Sequence, residues 1–131
     1  MADCPTEEQE HMAFVQWCHA RNFPIHHSAN EAGGSSQAMK LRAMKAKRMG
    51  TAKGFPDLLV YLPIKGITGE IDAYQPLAIE MKRQKGSTTQ PEQKKWGEIL
   101  EMSGTPFKVC KGCEEAIKFV HEMEREIDNE I

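Results

Sequence analysis

A chain of 131 residues with 40% hydrophobic and 27% charged residues is sized for one domain with a real core, not for a disordered tail. The formal net charge of −2 argues against a strongly basic nucleic-acid binder on bulk charge alone. No apolar stretch approaches the roughly 18 residues of a membrane span, and Met1-Ala2-Asp3-Cys4-Pro5 lacks the basic start and apolar centre of a signal peptide, so a cytoplasmic location is expected.

The first element is signalled by Thr6-Glu7-Glu8-Gln9, a capping box in which Gln9 follows the Thr6 N-cap by three residues. It opens a helix through about Ala20, with Phe14, Trp17 and Cys18 on a broad apolar face together with Met12 and Val15. Asn22 and Pro24 end it, and Phe23 to His27 reads as a short extended piece. The polar run from Ser28 to Gln37 reads as a loop. Ala38 to Met49 is a short basic helix with Leu41 and Met44 at near-helical spacing, closed by Gly50.

Pro56 to Leu62 has the apolar and β-branched content of a buried strand, followed by a turn-rich stretch from Pro63 to Glu70. Leu77 to Lys82 is a second strand, expected antiparallel to the first across an irregular connection. Pro91 suits the first turn of a helix capped by Thr89 or Gln90, with Trp96, Ile99, Leu100 and Met102 as its buried stripe and Ser103-Gly104 as its stop. Pro106 to Cys110 is a short strand, and Glu114 to about Ile127 a last helix with Ile117, Val120, Met123 and Ile127 on one side. The order is helix, strand, helix, strand, strand, helix, strand, helix. It predicts a small α/β fold, a mixed sheet flanked by helices, in one domain over residues 1–131 with its core at about 7–120.

Charge is unevenly distributed. From Ala32 to Pro56 there are six Lys or Arg and no acid, and extending to Lys95 gives twelve basic against five acidic residues, a net of +7. Glu114 to Glu130 has seven acids against two bases, a net of −5. A solvated helix face would explain Lys40, Arg42, Lys45, Lys47 and Arg48 in isolation. Their proximity in sequence to candidate phosphate chemistry favours a backbone-tracking role.

That chemistry lies in the two strands. Residues two apart on a strand point the same way, so Glu80 and Lys82 share one face while Ile79 and Met81 face the core. If Gly54-Phe55-Pro56-Asp57 leads into the neighbouring strand, one sheet edge carries two carboxylates and an ammonium. Mg²⁺ takes one or two carboxylates with waters and substrate phosphate, which such an edge could supply. Taken alone, Glu80-x-Lys82 is an ordinary charge pair; the combination with Gly54-x-Pro56-Asp57 and Gln93 is more specific.

His26, His27, Asn30 and Glu31 invite a zinc reading, but adjacent strand histidines point to opposite faces. Asn30 and Glu31 are better placed to shape a substrate loop. Cys110-Lys111-Gly112-Cys113 has redox-motif spacing at a helix N-terminus, yet the chain leaves no room for the remainder of a thioredoxin-like fold. Reduced, incidental thiols are expected.

The run Gly54-Phe55-Pro56-Asp57-Leu58, then Ile79-Glu80-Met81-Lys82, the Lys85-Gly86-Ser87 turn, Gln93 with Trp96, and Gly104 resembles the virus-type replication-repair nuclease (VRR-NUC) domain. This family is a branch of the PD-(D/E)xK nucleases, with a restriction-endonuclease-like fold related to Holliday junction resolvases. The likeness runs from about Glu7 to Val120. It implies a divalent-metal-dependent DNA endonuclease of replication and repair, of phage or bacterial type, using Mg²⁺ or Mn²⁺ and no organic cofactor.

By the same resemblance Asp57, Glu80 and the Met81 carbonyl would hold the metal, Lys82 would position water and phosphate, and Gln93 would orient Lys82 or a phosphate. A first-helix glutamate would complete the site, with Glu7 favoured over Glu8, although His11 stands where many relatives carry Gln. Lys40, Lys45, Lys47, Arg48, Lys53, Arg83 and Lys85 would track the DNA backbone. The expected substrate is branched DNA, a four-way junction or flap, cut by a homodimer. The rival from another class is a non-catalytic nucleic-acid-binding module that keeps the nuclease fold.

Overall fold

A computed structural model of the chain describes residues 4–28 and 36–130. Its elements are α1 (Glu7–Ala20), β1 (Ile25–His27), α2 (Gln37–Arg48), β2 (Leu58–Lys65), β3 (Ile71–Lys82), α3 (Pro91–Met102), β4 (Phe107–Lys111) and α4 (Cys113–Glu130). They form a mixed α/β fold with a four-stranded sheet in the order β1-β2-β3-β4. The first two pairings are antiparallel and β3 runs parallel to β4, with α3 as the connection a parallel pair requires.

Alternation along the strands separates the two faces. Leu58, Val60 and Leu62 of β2, Leu77, Ile79 and Met81 of β3, and Cys110 of β4 are buried against Phe14 and Cys18 of α1 and Ala116, Phe119 and Val120 of α4. The capping box of α1 forms as read: Thr6 Oγ1 accepts from Gln9 N–H at 3.1 Å, and Gln9 Oε1 accepts from Thr6 N–H at 2.9 Å. Trp17 stacks on Phe14 with ring centroids 5.9 Å apart and carries the Arg21 guanidinium 4.7 Å above its own ring.

Two expectations change. The stretch expected as a turn from Pro63 is strand as far as Lys65, and β3 starts at Ile71, not Leu77, so the connection is a hairpin with a bulge between Ile64 and Lys65. Each of these strands contains a proline, Pro63 in β2 and Pro76 in β3. Tyr61 N–H donates to the Pro24 carbonyl on the β1 side, so Pro63, two residues on, faces that side where β1 has already ended. Ala78 N–H donates to the Pro106 carbonyl, so Pro76 faces the β4 side before β4 begins. Neither missing N–H costs a ladder bond.

The second change is in α3. Met102 and Ile99 are exposed, and the buried contact of this helix is Gly97, against the Phe107 ring of β4. The basic helix α2 forms as expected; its Leu41 and Met44 face solvent and none of its residues is buried. The last helix behaves as expected, with Val120 buried and Ile117, Met123 and Ile127 packed on the core.

A Cβ on Gly97 would lie 2.6 Å from two Phe107 ring carbons. Gly97→Ala gains about 1 kcal/mol in helix propensity but pushes α3 off the sheet at an overpacking cost of about 1–3 kcal/mol. The expected outcome is a lower urea-unfolding midpoint, falling further for Gly97→Val; an unchanged midpoint for both would contradict this packing.

Candidate active site

The register Leu58↔Ile79, Leu59↔Ala78 continues by one step to place Asp57, in the bend before β2, opposite Glu80. Their groups interlock. Met81 N–H donates to Asp57 Oδ2 at 3.1 Å, and Asp57 N–H donates to Glu80 Oε1 at 3.3 Å. Lys82 Nζ lies 3.5 Å from Glu80 Oε2, with the Lys82 and Glu80 side chains only 12% and 6% exposed. This ion pair is therefore largely desolvated.

The approach of Asp57 depends on the loop before it. Gly54 has φ +86°, and a Cβ there would sit 2.5 Å from Glu92 Cβ and 2.9 Å from Gln93 N in the first turn of α3. Phe55 meets Trp96 of α3 edge to face, with centroids 5.1 Å apart, and Pro56 is fully buried. The Gly54-Phe55-Pro56-Asp57 run is thus shaped to lie against α3.

Gln93 explains the choice of contact. Its Oε1 accepts from Gln90 N–H at 3.0 Å, capping α3, while its Nε2 donates to Glu80 Oε2 at 2.9 Å. Gln93 is expected to orient Lys82 or a phosphate; its amide grips the Glu80 oxygen that Lys82 also approaches. The spacing Gln90-x-x-Gln93 is a capping-box pattern, a sequence signal that could have fixed this side chain's orientation.

Electrostatics mark the pair. Burial, then the charge of Asp57 and a hydrogen bond with it, push the Glu80 carboxyl up to about 8, against the opposing pull of Lys82. Glu7 also titrates above the ordinary range, first through burial and then through Asp57, with Lys82 acting the other way. Glu7 thus shares the field of Asp57 and Lys82, across a cleft of about 440 Å³ lined by Glu7, Glu8, His11, Met12, His27 and Asp57. A smaller cleft of about 190 Å³ on the α3 side is lined by Lys53, Gly54, Phe55, Asp57, Glu80, Gln90, Glu92 and Gln93.

His27 lies with Nδ1 3.1 Å from the Asp57 carbonyl oxygen, and its ring meets His11 at 4.7 Å, edge to face. His26 is exposed on the same strand, and Asn30 and Glu31 lie outside the described residues. Among the described residues no three His, Cys, Asp or Glu side chains gather as a metal cage. Two facing carboxylates suit an ion that completes its shell with water and phosphate, not a four-ligand zinc centre.

Of the basic residues expected to track DNA, Lys53 lines the smaller cleft beside Asp57 and Glu80. Lys40, Lys45, Lys47 and Arg48 are exposed along α2, as are Lys53, Arg83 and Lys85, and Lys53 reaches Glu92 at 3.6 Å. The cysteines are free thiols, with Cys18 and Cys110 pushed up to about 12 by burial and Cys113 also raised by burial. That is the opposite of a nucleophilic redox pair. No helix among the described residues is long and apolar enough to cross a membrane.

The VRR-NUC domain matches residues 3–114 of the sequence. A solved structure described as a VRR_NUC domain protein superposes with a TM-score of 0.66, covering 91% of this chain and 88% of that one at 27% identity. No curated protein sequence matches at a significant level.

The raised Glu80 carboxyl has a measurable sign. A carboxyl whose folded value lies above its ordinary 4.5 favours the folded state fully below that value, and this contribution is lost as pH rises through about 8. In EDTA the wild type is expected to lose thermal stability between about pH 4.5 and 8 in a way that Glu80→Gln does not. Melts of both proteins across that range check it; parallel pH dependences would contradict the assignment.

Proposed function

Because this chain belongs to the VRR-NUC domain family, a family with a nuclease fold, we propose that it is a divalent-metal-dependent DNA endonuclease hydrolysing phosphodiester bonds. The observation that carries this reading is the interlock of Asp57, Glu80 and Lys82, two carboxylates that each accept a backbone N–H and an ammonium paired with Glu80, at one end of the sheet.

The donor chemistry fits Mg²⁺ or Mn²⁺. Burial and then the charge of Asp57 raise the Glu80 carboxyl, and a divalent cation held by these residues would offset that repulsion. Asp57, Glu80 and the Met81 carbonyl would hold it, with Glu7 facing from α1. When bound, the ion supplies Lewis-acid activation of water and neutralises charge on the phosphate.

The chain's own groups do the remaining work. Lys82, tethered to Glu80 Oε2, is placed to hold a phosphate oxygen or steady the attacking water, and its charge favours the phosphorane-like transition state. Gln93 fixes the Glu80 carboxylate from α3, so less reorganisation is needed when a substrate arrives. Lys40, Lys45, Lys47, Arg48, Lys53, Arg83 and Lys85 would contact DNA phosphates. Few aromatic side chains accompany them, which favours backbone or shape recognition over base stacking. Branched DNA cut by a homodimer, one site per strand at a four-way junction, is the substrate reading carried by family likeness.

The test incubates the full chain with four-way, flap, single-stranded and linear duplex DNA in Mg²⁺, Mn²⁺ or EDTA. Cleavage is expected with metal and not in EDTA, and Asp57→Asn, Glu80→Gln and Lys82→Ala are each expected to lower the rate by at least about 10²-fold while far-UV circular dichroism is unchanged. Wild-type rates in all three variants would sink the site assignment. Tight DNA binding with no cleavage in any metal would instead favour the non-catalytic module.

A further inference from the structure

Glu10 is 7% exposed, one helical turn beyond Glu7, and takes no part in the interlock of Asp57, Glu80 and Lys82. Its two oxygens are committed elsewhere. Oε1 accepts from Cys113 N–H at 3.1 Å, at the first turn of α4, and Oε2 accepts from Gln84 Nε2 at 2.7 Å. Gln84 stands two residues beyond Lys82, just past the end of β3. The junction closes over Gly112: a Cβ there would lie 2.8 Å from Glu10 Oε2 and 3.1 Å from Gln84 Cγ.

One carboxylate therefore ties α1, the exit of β3 and the start of α4 at a single point. A charge at this position is stabilised by the α4 N-terminus as well as by the two donors. Residues three apart share a helix face, so what fixes Glu10 also fixes the direction in which Glu7 approaches Asp57 and Lys82.

We propose that Glu10 is a positioning residue, whose clamp on Gln84 and the Cys113 N–H sets the placement of Glu7 on α1 relative to Lys82 on β3. The kinetic consequence rests on the nuclease reading, whereas the geometric one does not.

The full chain is compared with Gln84→Ala, Gln84→Glu and the exchange Glu10→Gln with Gln84→Glu. Two measurements are made: kcat and KM for Mn²⁺-dependent cleavage of a four-way junction, and NMR of the Glu7 carboxyl carbon and Lys82 side chain in metal-free protein at one pH. Gln84→Glu sets two carboxylates face to face and is expected to lower kcat about tenfold with KM changed less than about twofold, and to move both resonances. Gln84→Ala, which merely deletes an exposed donor, is expected to shift the same resonances less. The exchange recreates the hydrogen bond with its polarity reversed, so both readouts should return towards wild type, a recovery that loss of general stability does not produce.

Unmoved Glu7 and Lys82 resonances in folded Gln84→Ala and Gln84→Glu would overturn the proposal. So would an exchange variant that folds but leaves them displaced. A wild type that cleaves nothing defeats the nuclease reading instead, and the resonances then still decide whether the clamp positions Glu7.

Discussion

The antiparallel register of β2 against β3 is the constraint on which the site depends. Side chains alternate between faces with a period of two, so a slip of one residue would carry Leu77, Ile79 and Met81 out of the core and bring Glu80 and Lys82 into it. Leu58, Val60, Leu62, Leu77, Ile79 and Met81 are each 0–1% exposed, and burying six such side chains is worth on the order of 10 kcal/mol as an upper estimate. That exceeds the several kcal/mol of desolvating one ionised carboxylate. Core burial can therefore hold Glu80 and Asp57 together against their own repulsion, and the stability of the sheet supports the electrostatic strain of the site.

Around that register the remaining contacts act as braces. Gly54 lets the loop before Asp57 touch the first turn of α3, Phe55 anchors it on Trp96, and Gln93 spends one end of its amide on the helix cap and the other on Glu80. On the opposite side, Glu10 joins α1 to the exit of β3 and to α4. Glu80 is thus gripped from α3, while Glu10 fixes α1 to the end of the strand that carries Glu80 and Lys82. Of these braces Gln93 touches Glu80 directly, whereas Gly54 and Phe55 act through the loop that leads into Asp57.

The charge distribution has a structural counterpart. The basic middle of the chain occupies α2, which buries none of its residues, together with the turn after β3. A helix with no buried side chain contributes little to the core, so its sequence is free to be set by its surroundings in solution. The acidic last helix differs, since its apolar residues complete the core while Glu114, Glu115, Glu126 and Asp128 are exposed.

Local signals in the sequence determined much of this protein. Thr6-x-x-Gln9, the alternation of Leu77 to Lys82, Pro91 and the apolar spacing of the last helix specify their elements because caps, pleats and helical repeats act over a few residues. The family also was legible, since its motif residues lie within short runs. Hairpin length was not, because whether Pro63 and Pro76 break a strand depends on whether a neighbour needs their missing N–H, which only the sheet order decides. The packing of α3 through Gly97, the exposure of Leu41 and Met44, the grip of Gln93 on Glu80 and the field that singles out Glu7 were likewise decided by tertiary structure. Each depends on an atom brought from a distant part of the chain, and no local pattern encodes that distance.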